Sequence, residues 1–94
     1  MKRQLLAPDE LTTALTNLNG WKATDNHLTK RLEFPDFAAA LAFVNKLADL
    51  AEAADHHPDI TFGWGYAELI LTTHDRGCIT DVDTALAAKI DQIT

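Results

Sequence analysis

The sequence predicts an α+β fold, an αββαββα sandwich in which a four-stranded antiparallel sheet carries its helices on one face. Segments with a helical spacing of leucines and alanines alternate with pairs of short segments rich in β-formers. Two turn-forming residues separate the members of each pair, so each pair forms a hairpin of antiparallel strands. Helices between and around such hairpins are typical of an α+β sandwich.

The chain begins with a short helix and a hairpin. The segment "PDELTTALTNLNGW" has Pro8 in its first turn and a helical spacing of leucines, and we expect Gly20 to end the helix. The segments "WKAT" and "HLTKRLEF" then flank Asp25-Asn26, two residues that tolerate a positive φ. This pattern predicts the first hairpin.

The longest predicted element is a helix that runs from about Asp36, its N-cap, to about Asp55. Its apolar side chains form two adjacent stripes, one of Phe37, Leu41, Val44, Ala48 and Ala51 and one of Ala40, Phe43, Leu47, Leu50 and Ala54. Together they are wide for a helix that covers one sheet face. The helix can therefore pack partly on a second subunit, or it can be a fully covered central helix.

A second hairpin and a last helix complete the chain. The segments "DITFGW" and "YAELILTTH" flank Gly65-Tyr66, which we expect to form the turn. In the second of these strands, one face carries Ala67, Leu69, Leu71 and Thr73, and the other carries Glu68, Ile70, Thr72 and His74. The segment "TDVDTALAAKIDQI" predicts a helix in which Thr80 and Asp83 form a capping box.

The composition predicts a single globular domain over residues 1–94, with 47% hydrophobic and 23% charged residues. No apolar run is long enough for a membrane span or a signal peptide, so we expect a cytoplasmic protein without a membrane partner. The net charge of -6 and the scattered basic residues argue against direct nucleic-acid binding. The only cysteine, Cys78, cannot form an internal disulfide.

Three histidines are the candidate functional residues. His56 and His57 lie at the predicted end of the long helix, and His74 ends a strand of the following hairpin. If that strand returns to the edge of the sheet where the helix ends, the three imidazoles converge. They can then form a metal site or an acid/base site, or each can be an ordinary polar residue.

Acid/base chemistry fits this arrangement better than metal binding. Zinc could take the histidines with Asp55, Asp59 or Glu52, but neighbouring residues on a helix point about 100° apart and aim poorly at one ion. An unperturbed histidine titrates near pH 6.5 and so exchanges protons at cellular pH. Covalent catalysis is not predicted, because the chain has no serine and Cys78 has no obvious partner.

Other side chains near the histidines have two interpretations each. Glu52 lies four residues before His56, so we expect the two to meet on one helical face. Trp64 offers a flat wall for a planar ring, or is a core residue. Asp83 is expected to cap a helix whether or not it also belongs to the functional site.

The spacing of these residues forms a signature: Glu52, three residues, His56-His57-Pro58, five residues, Trp64, nine residues, His74, eight residues and Asp83. It resembles the signature of the pterin-4a-carbinolamine dehydratases. The similarity extends to "NGW" at 19–21, to residues 32–52 and to "ITDVD" at 79–83. The chain departs from the family at Ile60 and Phe62-Gly63-Trp64, where members typically carry a tryptophan and an Asn-Val-Tyr segment.

The resemblance implies an αββαββα fold and the dehydration of 4a-hydroxytetrahydropterins to quinonoid dihydropterins without a cofactor or metal. It implies that His56 and His74 transfer protons to the leaving hydroxyl and from the ring nitrogen, while His57 holds the pterin. The expected substrate-binding residues are Glu52, Asp55, Pro58, Trp64 and Asp83.

The resemblance also implies partners. It implies a homodimer or homotetramer, with a pterin-dependent hydroxylase as a candidate partner. Because some family members stabilise dimers of a transcription factor, an alternative function is a non-catalytic protein-binding or dimer-stabilising module that uses the long alanine-rich helix.

Overall fold

The structure is a computed structural model that describes residues 6–73 and 77–94. Within these ranges the elements follow one another as α1 (Pro8–Thr16), β1 (Lys22–Thr24), β2 (His27–Glu33), α2 (Phe37–Ala54), β3 (Asp59–Gly63), β4 (Tyr66–Leu71) and α3 (Asp81–Gln92). The predicted αββαββα order is therefore confirmed.

The sheet has the strand order β1-β2-β4-β3, and every neighbouring pair is antiparallel. In the second hairpin, Asp59 at the start of β3 pairs with Ile70 near the end of β4. Because β3 begins just after α2 ends, the chain that leaves β4 returns to the same end of the sheet as the histidine pair. The register thus brings the α2–β3 connection and the end of β4 to one corner of the domain.

Alternating burial along β4 shows that the helices cover a single face of the sheet. Ala67, Leu69 and Leu71 are fully buried, whereas Glu68 and Ile70 are exposed on the other face. The face parity of β4 was predicted correctly. On the covered face these residues join a core with the buried side chains Trp21, Leu28, Phe43, Leu47, Ile79, Leu86, Ala87 and Ile90.

Helix α2 packs on β3, β4 and α3. Its start was predicted correctly, because the carboxylate of Asp36 accepts a hydrogen bond from the N–H of Ala39 at 2.8 Å. The residues that it buries are Ala40, Phe43, Leu47 and Ala51. Two large apolar side chains near the start of the helix are not covered, since Phe37 is 45% exposed and Leu41 is 39% exposed.

Helix α1 ends earlier than predicted. The expected stop was Gly20, but the helix ends at Thr16, and Asn17 takes the C-cap position. The N–H groups of Asn17 and Leu18 bond to carbonyls three residues back, which tightens the last turn. Three threonine hydroxyls of α1 also bond to backbone carbonyls of the preceding turn, and such bonds weaken helix propagation.

The turn of the second hairpin lies one residue earlier than predicted, at Trp64 and Gly65. Gly63 pairs with Tyr66, and Gly65 adopts a φ of 83°, which a glycine accepts without strain. The carbonyl of Gly65 also accepts a hydrogen bond from the N–H of Phe34 at 2.8 Å. The predicted turn at Gly65-Tyr66 was wrong because Tyr66 pairs with both neighbouring strands.

A carboxylate in α3 anchors the segment between α1 and β1. Oδ1 of Asp91 accepts hydrogen bonds from Nζ of Lys30 at 2.8 Å and from Nε1 of Trp21 at 2.9 Å. Oδ2 accepts from the backbone N–H of Asn19 at 2.9 Å. Burial by itself would raise the pKa of Asp91, but these hydrogen bonds and the Lys30 charge outweigh it and hold the pKa below its ordinary value.

Candidate active site

The chain turns sharply at the end of α2, and this turn separates the two adjacent histidines. Asp55 adopts the left-handed conformation, with φ 49° and ψ 44°. The N–H of His56 bonds to the carbonyl of Ala51 at 3.1 Å, and that of Asp55 bonds to the carbonyl of Glu52 at 3.2 Å. This is the hydrogen-bond pattern of a Schellman motif. His56 is consequently only 5% exposed, whereas the His57 side chain is largely in solvent.

His56 is directed towards α3, where it meets Asp83. Nε2 of His56 lies 2.5 Å from Oδ1 of Asp83, and the Asp83 side chain is fully buried. Charge-assisted hydrogen bonds of this kind are short and strong. A carboxylate accepts and does not donate, so it fixes the orientation of the imidazole and selects the form that has a proton on Nε2.

Two buried threonines hold the other oxygen of Asp83. Oδ2 accepts from the hydroxyl of Thr73 at 2.9 Å and from the backbone N–H of Thr80 at 2.8 Å. The hydroxyl oxygens of Thr73 and Thr80 lie 2.7 Å apart. These bonds satisfy a carboxylate that is removed from water, where an unpaired charge would be costly. The capping box predicted for Thr80 and Asp83 is confirmed.

His57 pairs with Glu52 at the surface. Nε2 of His57 and Oε2 of Glu52 are in hydrogen-bond contact, and both side chains are mostly exposed. The expected pairing of Glu52 with His56 was wrong. Glu52 and His56 are four residues apart, but the left-handed Asp55 ends the helical geometry before His56 and directs that side chain away from the helix face.

The remaining predicted site residues lie at different places. Asp55 and the half-buried Pro58 belong to the turn itself, next to the two histidines. Trp64 is 72% exposed, so it is not the core residue that one interpretation required. It lies beyond the far end of β3, and that strand has five residues. At about 3.4 Å per residue, the strand places Trp64 roughly 17 Å along the sheet from the histidine corner.

His74 lies outside the described residues, so its convergence with the other two histidines stays a prediction. Thr73 immediately precedes it in the chain and is described. Through Asp83, Thr73 is connected to His56 by two hydrogen bonds. Thr73 was not among the predicted site residues, although it was predicted to share a strand face with the apolar residues Ala67, Leu69 and Leu71.

Gly63, where the chain departs from the family pattern, has a structural explanation. A Cβ atom on this residue would lie 2.8 Å from the ring of Tyr66, so glycine makes room for that ring. Arg31 in turn stacks on the Tyr66 ring, 4.6 Å from its centroid. The cross-strand tyrosine therefore packs where a side chain is missing.

Two general properties of the described residues bear on function. Among residues 6–73 and 77–94, no cluster of three or more histidine, cysteine or acidic side chains is arranged to hold a metal ion. In the same part of the chain, no helix has the length and apolar character that crossing a membrane requires.

Comparison with known proteins identifies the family. The sequence profile described as "Pterin 4 alpha carbinolamine dehydratase" matches residues 4–93. The chain belongs to this family. The resemblance based on the histidine signature is therefore confirmed.

Curated relatives cover nearly the whole domain. A protein from Roseiflexus sp. is 46% identical over 88 residues, which cover 94% of this chain and 95% of the relative. One from Thermosynechococcus vestitus is 43% identical over 88 residues, covering 94% and 93%. Both are provisionally named pterin-4-alpha-carbinolamine dehydratase.

Solved structures share the fold. A protein from Brucella melitensis, described as a transcriptional coactivator/pterin dehydratase, matches with a TM-score of 0.90 and 32% identity over 96% of this chain and 98% of that one. A pterin dehydratase-like protein, described as a RuBisCO assembly factor in the alpha-carboxysome, matches with a TM-score of 0.63 and 31% identity over 78% and 84%. Proteins that share this fold are thus described in terms of both catalysis and assembly.

Proposed function

We propose that this protein dehydrates 4a-hydroxytetrahydropterins to quinonoid dihydropterins by histidine acid/base catalysis, as a hydro-lyase without a cofactor. Such carbinolamines are products of pterin-dependent hydroxylation. A hydroxylase of this kind is therefore the partner that we propose as the source of the substrate.

The observation that carries the proposal is the presence of two imidazoles in unlike settings at the end of α2. His56 is buried against Asp83, while His57 is exposed and paired with Glu52. Histidines in different environments can divide the tasks of proton transfer and substrate holding. Family membership supplies the substrate class for which this division is useful.

The reaction needs proton transfer and little else. A proton must reach the 4a-hydroxyl so that the C4a–O bond breaks and the oxygen leaves as water. The lone pair of N5 then forms the C4a=N5 double bond, and N5 loses its own proton. The balance is the loss of one water, with no oxidation or reduction. We assign the two proton transfers to His56 and His74, and the holding of the pterin to His57.

The turn residues support these roles. We propose that Glu52 orients His57 and that Asp83 orients His56, each through the hydrogen bond described above. Asp55 and Pro58 form the backbone turn on which both histidines are displayed, and the pterin would lie against it.

Ultraviolet spectroscopy of carbinolamine decay tests the proposal. A 4a-hydroxytetrahydropterin is generated in buffer, and its spontaneous decay is compared with decay in the presence of the purified protein. We expect clear acceleration, and a loss of about 100-fold or more in the double variant His56→Ala, His74→Ala. His27→Ala is the matched control, because His27 lies at the start of β2 and its Nδ1 contacts the carbonyl of Asp25 at 2.6 Å. No acceleration, or full activity in the double variant, contradicts the proposal.

A second candidate function is self-association or protein binding through the outer face of α2. Phe37 and Leu41 are exposed there by 45% and 39%, and large exposed apolar side chains that lie together mark interaction surfaces. One structural relative is described as an assembly factor, which favours this alternative for some members of the family.

Light scattering after size-exclusion chromatography tests the second candidate. We expect the protein to elute as a homodimer or homotetramer, and the variant Leu41→Lys to shift towards the monomer mass. Thr61→Lys is the control, since Thr61 is exposed in β3 and lies outside α2. A monomeric native protein contradicts self-association through α2. An equal mass shift in both variants contradicts the choice of this face.

A further inference from the structure

A chain of hydrogen bonds with one direction runs from the start of α3 to His56. The backbone N–H of Val82 donates to the hydroxyl oxygen of Thr80 at 3.3 Å. The Thr80 and Thr73 hydroxyls are 2.7 Å apart, and the Thr73 hydroxyl reaches Oδ2 of Asp83 at 2.9 Å. Oδ1 of Asp83 then meets Nε2 of His56 at 2.5 Å.

The backbone N–H of Val82 and the carboxylate of Asp83 set the direction of these hydrogen bonds. A backbone N–H can only donate, and an ionised carboxylate can only accept. The Thr73 hydroxyl must therefore donate its hydrogen bond to Asp83, so its oxygen accepts a hydrogen bond from the Thr80 hydroxyl. The remaining oxygen of Asp83, Oδ1, accepts a hydrogen bond from Nε2 of His56. This series of hydrogen bonds thus determines which nitrogen of the His56 imidazole carries the proton.

We propose that Thr73 is a positioning residue for His56: it orients the Asp83 carboxylate, which holds the neutral imidazole with its proton on Nε2 and its lone pair on Nδ1. The inference rests on the proposed function, because it assigns the proton-transferring atom of His56 to Nδ1. The hydrogen bond found for the His56 ring among the described residues joins Nε2 to Asp83, and the proposal places the substrate at Nδ1.

The geometry favours a positioning role for Thr73 over a role in packing alone. The terminal torsion of an aspartate is soft, so a carboxylate needs contacts on both oxygens to hold one plane. Without the Thr73 hydroxyl, Oδ2 retains only the N–H of Thr80. Asp83 can then rotate, and its hydrogen bond to His56 loses the geometry that selects one tautomer.

Nitrogen chemical shifts of the imidazole test the inference without turnover. In the native protein at a pH where His56 is neutral, we expect one protonated-type signal for Nε2 and one pyridine-type signal for Nδ1. In Thr73→Val, which replaces the hydroxyl by a methyl group, we expect the two shifts to approach each other as the tautomers mix. Thr73→Ser keeps the hydroxyl and should restore the native shifts.

Thr72→Val is the matched control. Thr72 is the neighbouring buried threonine, and its hydroxyl bonds to the carbonyls of Asn26 and Cys78 instead of to Asp83. This variant loses a hydroxyl of the same kind and should keep the native imidazole shifts. If Thr73→Val does not fold, Thr73→Ala removes the hydroxyl without adding a methyl group beside the carboxylate, and the same shifts are measured in it.

Turnover supplies the second readout. We expect kcat of Thr73→Val to fall by about tenfold or more, with KM changed by less than about twofold and with rescue by Thr73→Ser. Native imidazole shifts in Thr73→Val and Thr73→Ala overturn the inference, and so does an equal loss in Thr72→Val. If the native protein does not accelerate dehydration, the proposed function fails, whereas the chemical shifts still decide whether Thr73 sets the tautomer.

Discussion

Nε2 of His56 lies 2.5 Å from Oδ1 of Asp83, although 27 positions separate the two residues in the chain. The contact joins the end of α2 to the first turn of α3. The same carboxylate accepts the backbone N–H of Thr80 and so caps α3. The start of one helix and the orientation of a candidate catalytic histidine therefore depend on a single buried side chain.

Asp83→Asn should inactivate the protein by reversing the tautomer of His56. The N–H of Thr80 and the hydroxyl of Thr73 both donate to Oδ2, so the amide oxygen of an asparagine would take that position. Its NH2 group would then donate a hydrogen bond to Nε2 of His56, so this atom would present its lone pair and the proton would move to Nδ1. We expect kcat to fall by about 100-fold or more, measured by carbinolamine decay.

The control for this variant is Asp49→Asn, which makes the same substitution at an exposed position of α2. It should retain native activity. Far-ultraviolet circular dichroism should show that Asp83→Asn keeps its helices, because an asparagine can still accept the capping hydrogen bond. Activity of Asp83→Asn within a few fold of the native rate would show that the tautomer of His56 does not matter.

The elements and the inward-facing residues could be predicted from local sequence. The alternation in β4, the Asp36 cap of α2 and the capping box of Thr80 and Asp83 each follow from residues within a few positions of one another. Such short-range patterns determine backbone geometry directly.

Contacts that depend on how elements meet could not be predicted in the same way. Glu52 was assigned to His56 because helical spacing was extended two residues beyond Ala54, where α2 ends. The partner of His56 comes from α3, and Asp91 reaches Trp21 across 70 positions. These contacts depend on side-chain directions at the ends of helices, which are set by backbone conformations such as the positive φ of Asp55.

Glu52→Gln should affect substrate binding more than stability. The Glu52–His57 pair is mostly exposed, and exposed pairs contribute about 1 kcal/mol or less to the free energy of unfolding. If Glu52 orients His57 towards the pterin, KM should rise by about two- to tenfold, as expected for one hydrogen bond. Glu68→Gln is the control, since it breaks a comparable exposed pair with Arg31. An unchanged KM in Glu52→Gln would remove Glu52 from the site.

Trp64→Ala should leave turnover nearly unchanged. The ring is exposed on the turn after β3, and the length of that strand separates it from His56 and His57. We expect kcat and KM to stay within about twofold of native, and the free energy of unfolding to change little, because exposed positions tolerate substitution. Trp21→Ala is the contrast, since that tryptophan is buried and its loss should cost about 3–5 kcal/mol. A large rise in KM for Trp64→Ala would contradict this prediction.

Asp91→Asn should destabilise the fold and change how stability depends on pH. The variant leaves the ammonium of Lys30 buried without its carboxylate, so we expect a loss of about 2–4 kcal/mol at pH 7 by urea unfolding. Because the fold lowers the pKa of Asp91, its contribution is complete above the unfolded pKa, about 3.9. It is lost as the pH falls through the lower folded value. The difference in the free energy of unfolding between the native protein and the variant should therefore become smaller below about pH 4. Asp49→Asn should show no such loss at pH 7, and a native-variant difference that stays constant down to pH 2 would contradict the assignment.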